Sequence, residues 1–195
     1  MSSLTNASHY NARLGDLLQK TASSIRSYRG FMSSQAQHLL GPVNQLWDRS
    51  QRYRLVAGSS TDERCTTALL SECQDAHQSI WHSIMQMKEM LNEIASDAAK
   101  FDMECICLCS ELQPEPCPAS VDEWREWLYV SLHSLQAQLK RLEYESRRFV
   151  PTILQEQTVE EFKANLQLGE HPEAMICMGL ARAELLATCP LLLTS

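Results

Sequence analysis

The sequence predicts an all-α protein, an elongated antiparallel helical bundle or coiled coil of three long helices plus a short C-terminal helix. Three observations point there. The chain carries only 6 glycines and 7 prolines in 195 residues, too few for the turn every ~8–12 residues that an all-β chain needs. Apolar residues recur at alternating steps of three and four over six heptads, which keeps one helix face against a neighbour. The breaks are few and clustered, so the helices between them are long. The expected helices cover about 7–54, 62–112, 120–168 and 172–188, with loops at about 55–61, 113–119 and 169–171, all in one elongated domain of residues 1–195.

The first helix carries a loose seam of Leu14, Leu18, Thr21, Ile25, Tyr28, Met32, Gln35, Leu39, Pro42 and Leu46. Pro42, following Gly41, should kink or break it. Gly58-Ser59-Ser60-Thr61-Asp62 then forms a loop, with Thr61 or Asp62 available to cap the next helix.

The second helix has the firmest pattern: Leu70, Cys73, His77, Ile80, Ile84, Met87, Leu91, Ile94, Ala98, Phe101, Cys105, Leu108 and Leu112. Only His77 is polar, and it reads as a hydrogen-bonded core or edge histidine. The proline-rich run Gln113 to Pro118 ends this helix.

Ser120 with Glu123 has capping-box spacing at the start of the third helix. That helix continues through Trp124, Trp127, Leu128, Leu132, Leu135, Leu139, Leu142, Ser146, Phe149 and Ile153, and Pro151 should bend or divide it. Gly169 and Pro172 mark the last break. The fourth helix is apolar on much of its surface, so it either tucks onto the bundle or docks a partner.

Composition narrows the function. A formal charge of -7 disfavours direct nucleic-acid binding. No run approaches the ~20 apolar residues of a membrane span, and the N-terminal stretch lacks a signal-peptide core, so a cytosolic or nuclear protein without membrane contact is expected. The 8 cysteines include no CxxC pair. Cys73 with His77 and Cys105 with Cys109 are pairs 32 residues apart on one helix, about 48 Å along its axis. They cannot share one metal, and reduced core thiols are expected. There is no GxSxG, P-loop, HExxH or glycine-rich dinucleotide turn, and no Glu-x-x-His pair for a bundle metal site. No catalytic residue, metal ligand or cofactor is therefore expected.

Partner binding is the remaining function class. The candidate contacts are the heptad seam (Leu70, Ile80, Ile84, Met87, Leu91, Ile94, Phe101 and Leu108) and the third-helix face (Trp124, Trp127, Leu128, Leu132, Leu135 and Leu139). Spacing alone leaves open whether these seams close internally or on another chain. The mixed-charge run Lys140 to Arg148 reads as a solvated face.

This layout resembles the cyclin-dependent kinase 2-interacting protein family. The features that carry the resemblance are the Cys73–Leu112 coil, the Trp-led stretch from Trp124 to Arg148, and the Gly169-Glu170-His171-Pro172-Glu173 turn that opens the last helix. The run Pro118 to Leu128 also resembles the helical ribosome-maturation factor that partners this family. The Gly58–Asp62 loop is shorter than the charged linker expected there. The resemblance implies a non-catalytic adaptor in a hetero-oligomer. Its partners would be a second helical adaptor, an AAA+ ATPase that remodels precursors of the large ribosomal subunit, and cell-cycle kinases. It also implies a link to replication and genome maintenance, with nuclear and cytoplasmic localisation. The competing reading is a coiled-coil subunit of a kinetochore, tethering or microtubule-nucleating complex.

Overall fold

The structure is a computed structural model and describes residues 2–59, 63–111 and 119–188. It is all-α, with helices α1 (Ser2–Ser59), α2 (Glu63–Glu111), α3 (Ala119–Arg147), α4 (Glu156–Asn165) and α5 (Glu170–Thr188). No strand occurs among the described residues. The loop expected at 55–61 is helical as far as Ser59. Residues 60–62 and 112–118, including the capping candidates Thr61 and Asp62 and the seam residue Leu112, lie outside the described residues.

The two internal prolines behave differently. α1 continues through Pro42, so of the expected kink or break the break does not occur. Pro42 has no N–H to donate one turn back, a loss worth roughly 3 kcal/mol in an ordinary helix. Burial on both sides offsets it: Leu39, Val43 and Leu46 have almost no exposure, each worth about 1.5–3 kcal/mol. Val43 rather than Pro42 takes the core position.

At Pro151 the segment expected over 120–168 is divided, one of the two outcomes its proline allowed: α3 ends at Arg147 and α4 begins at Glu156. The last turn of α3 tightens, with the amides of Arg148 and Phe149 donating to Glu145 (3.0 Å) and Ser146 (3.2 Å). Pro151 cannot supply the next helical donor, and it also pushes Val150 out of the helical region. The chain turns, and Gln155 precedes α4 in an extended conformation. Leu154 is consequently buried, while Ile153, a seam position in the sequence reading, is 68% exposed.

Cα proximity divides the chain into two compact units where the sequence reading drew one domain. The first unit takes Met1–Arg29, Met90–Leu135 and Gly169–Ser195; the second takes Gly30–Glu89 and Gln136–Leu168. Each is a bundle of three long-helix segments and one short helix, α5 in the first and α4 in the second.

In the first unit α1 and α2 run antiparallel, as the pairs Arg13–Glu104 (2.7 Å) and Lys20–Asp97 (3.0 Å) show. Its core combines Leu18 and Ile25 of α1, Leu91 and Phe101 of α2, Trp124 and Leu128 of α3, and Ile176 and Leu180 of α5. In the second unit Phe162 of α4 is fully buried and packs on Phe149, ring centroids 5.1 Å apart. The Gln138 side-chain amide donates to the Asn165 carbonyl (3.1 Å), tying α3 to the end of α4. Lys88 of α2 pairs with Glu143 of α3 at 2.8 Å.

The ends of α3 carry charges that suit its dipole. Asp122 lies in the first turn of α3 and Arg147 in its last, opposite in sign to the helix dipole at each end. Pro172 falls in the first turn of α5, where no donor is missed, and the Glu173 amide bonds the Gly169 carbonyl at 3.0 Å.

Candidate partner-docking site

The seams close on the chain itself. Ile80, Ile84, Met87, Leu91, Ile94, Phe101 and Leu108 are all at most 2% exposed. Leu70 alone among the eight seam candidates is open, at 38%. On α3, Trp124, Trp127, Leu128, Leu135 and Leu139 are buried and Leu132 is half-buried. Apart from Leu70 and half-buried Leu132, these side chains pack within the chain's own units, and Trp127 among them also lines a cleft between α3 and α5.

His77 is held as the sequence reading allowed, its Nε2 3.0 Å from the Ser146 carbonyl oxygen. The mixed-charge run is solvated at Lys140, Arg141, Arg147 and Arg148, while Leu142, Glu145 and Ser146 are buried. Arg148 pairs with Glu145 (2.7 Å) and Glu161 (3.0 Å), and Arg147 lies over the Trp81 ring.

Cys73 and Cys105 are buried free thiols. Burial pushes Cys105 up to about 12, against the opposing charge of Arg125. Burial also raises Cys73, helped by Glu72 and opposed by Arg49. Neither is poised as a nucleophile. Cys109 is disulfide-bonded, contrary to the expectation of reduced thiols throughout. Cys107 and Cys177 are exposed and not in disulfides. No group of three or more His, Cys, Asp or Glu side chains that could hold a metal occurs among the described residues. None of the helices there is long and apolar enough to cross a membrane.

Two concavities of the first unit bear on function. One, of about 460 Å³, lies between α1 and α2 and is lined by Lys20, Ser23, Ser24, Ser27, Glu93, Asp97 and Lys100 among others. Its charges cancel. Lys20 and Lys100 both donate to the same Asp97 oxygen, at 3.0 and 2.9 Å. These bonds, that of Lys100 foremost, hold Asp97 below the usual carboxylate range despite burial. The pocket offers a ligand no surplus charge.

The other concavity, about 370 Å³, lies between α3 and α5. Its floor is Trp127, Val130, Met175, Met178 and Gly179, and its rim Glu123, Glu126 and Arg182. The floor is built by one close approach. The Trp127 indole lies on the backbone of Gly179, where a Cβ would overlap it. Its Nε1 donates to the Met175 carbonyl at 3.2 Å. Trp124 meets Trp127 edge-on, centroids 5.5 Å apart, an arrangement favoured by the ring quadrupoles. Arg182 lies 5.0 Å above Trp124 and pairs with Glu123 at 2.7 Å.

Glu123 is thus not the partner of Ser120 in a capping box. The Ser120 hydroxyl is buried with no hydrogen-bond partner among the described residues, and the Glu123 carboxylate serves α5 instead. Sequence reasoning missed Gly179, Met175 and Arg182. The available signal was a glycine inside an otherwise apolar helix, which marks a close approach.

The fold and this cleft define an all-α protein with an apolar, charge-rimmed groove between two helices. No protein-family model, curated protein or solved structure matches the chain.

Proposed function

We propose that the chain is a non-catalytic adaptor subunit that holds other proteins together within a hetero-oligomeric complex. The observation that supports this reading is the cleft between α3 and α5, with the exposed α5 face beside it. Met178 is 58% exposed there, against a wall of Trp127 and Val130. Methionine-lined apolar grooves with a charged rim suit a protein side chain or helix better than a small polar substrate.

The finer proposal rests on the resemblance. The complex is an AAA+ ATPase assembly that acts on precursors of the large ribosomal subunit and on replication and genome-maintenance factors. A second helical adaptor is present, cell-cycle kinases are further contacts, and the location is nuclear and cytoplasmic. Because the heptad seams are consumed internally, the second adaptor docks on the outer faces of the helices rather than through the seam.

Affinity purification of the tagged chain with mass spectrometry tests this reading. Recovery of an AAA+ ATPase is the expected result. Recovery of tubulin or centromere proteins without an ATPase would transfer the chain to the other class of assemblies.

A further inference from the structure

We infer that the outer face of α5, with Glu126 of α3 beside it, docks an amphipathic helix of a protein partner whose flanks are basic. This deepens the adaptor reading and rests on it for its biological setting.

α5 carries two apolar faces. Ile176, Leu180 and Ala183 are buried in the first unit, together with Gly179. Ala174, Met178, Ala181 and Leu185 are exposed, spaced four, three and four residues apart. A helix that meets its own core on one side and water on the other has one apolar stripe. A second stripe at heptad spacing is what a helix presents to another helix. The alanines let a second backbone come close, and Met178 adapts its shape to the side chain it meets. The stripe borders the α3–α5 cleft, so an approaching helix meets a groove rather than a bare convex surface.

Charge selects the occupant. The arginines around α5 are already engaged: Arg182 with Glu123, Arg26 with Glu184 and Arg29 with Glu173. Glu126 and Glu170 have no ion-pair partner among the described residues, so the surplus charge of this face is negative. Lysines or arginines flanking the apolar anchors of the incoming helix would complement it. A second copy of this chain brings the same surplus negative charge. The stripe is also only about 17 Å long, too short to supply by itself the roughly 800 Å² per partner that a stable dimer buries. A single inserted helix needs only anchors of this spacing.

The test uses the full chain and a fluorescein-labelled synthetic peptide of three heptads, with Leu at the a and d positions and Lys at e and g. The control peptide has Glu at e and g. By fluorescence anisotropy at near-physiological salt, the Lys peptide is expected to bind at least about tenfold more tightly than the Glu peptide. Met178→Glu and Ala181→Glu should each weaken it by about tenfold or more, and Glu126→Gln by about threefold. Both of the first two positions are exposed, and thermal melts confirm that the variants fold. Tyr144→Glu, on an exposed position of the second unit, should change nothing.

Equal binding of the two peptides, or binding indifferent to Met178→Glu and Ala181→Glu, overturns the inference. So does a wild-type dimer in sedimentation equilibrium that Met178→Glu converts to monomer, which would install a second copy on this face. The two readings fail separately. If Met178→Glu still co-purifies with the ATPase, the adaptor reading stands and this surface is wrong. If the peptide pattern holds but no ATPase is recovered, the surface stands and the complex is wrong.

Discussion

Trp127 and Gly179 share one volume: the indole occupies the space that any side chain at 179 would need. This contact sets how closely α3 and α5 approach. It also lets the indole N–H reach the Met175 carbonyl one turn earlier on α5.

Gly179→Ala should therefore destabilise the protein, although alanine is the better helix former by about 1 kcal/mol. Overpacking against a rigid ring costs about 1–3 kcal/mol or more. The midpoint of thermal or urea unfolding should fall. Adding Trp127→Leu should recover part of the loss, since it vacates the volume that the new methyl enters. An unchanged midpoint in Gly179→Ala would show that α5 is held in some other way.

Asp97 gives the protein a defined acid sensitivity. Hydrogen bonds from Lys100 and Lys20 depress its pKa relative to the unfolded chain. The stabilisation is thus fully present above the ordinary aspartate range, near pH 4. It disappears as pH falls through the depressed value. Because both lysines are more than half exposed, the worth is at most about 1 kcal/mol. Asp97→Asn should be less stable than wild type at pH 7 by that amount, with the gap closing towards pH 2. A gap that persists in acid would mean the loss is steric.

Tyr28 is fully buried, and its hydroxyl has no hydrogen-bond partner among the described residues. Burial also raises its pKa. Tyr28→Phe removes a desolvated polar atom while keeping the ring, so it should be neutral or stabilising by about 1 kcal/mol. Loss of stability, read by urea unfolding, would reveal a bridging partner for the hydroxyl.

The turn after α3 separates neighbouring residues sharply. Phe162→Ala should cost about 3–5 kcal/mol and Leu154→Ala about 2–5, because both side chains are buried. Ile153→Ala, on a 68% exposed position, should stay within about 0.5 kcal/mol. Equal losses at 153 and 154 would restore the continuous third seam.

The contrast at 153 and 154 shows how far the sequence could be read. The seam from Ile80 to Leu108 was legible because a sustained spacing of three and four fixes which face is apolar. What covers that face is not written in the spacing, and here the chain's own helices cover it. The two prolines looked alike locally. Their different outcomes go with what is buried around them, Leu39, Val43 and Leu46 at one and Leu154, three residues on, at the other. Ser120 and Glu123 matched a local capping rule, but Arg182, far away in sequence, took the carboxylate. The α3–α5 cleft was the least legible feature. It depends on a glycine and a tryptophan whose meeting only tertiary packing decides.

The interleaved make-up of the two units has a consequence for synthesis. The second unit ends at Leu168, so all its parts have been made before the last helix exists. The first unit needs α5. Until Ile176, Leu180 and Ala183 leave the ribosome, the early residues Leu14, Leu18 and Ile25 lack part of their cover. Nascent apolar surface of this kind invites chaperones or aggregation. A message truncated shortly before α5 would yield a chain with one completed unit and one that cannot close.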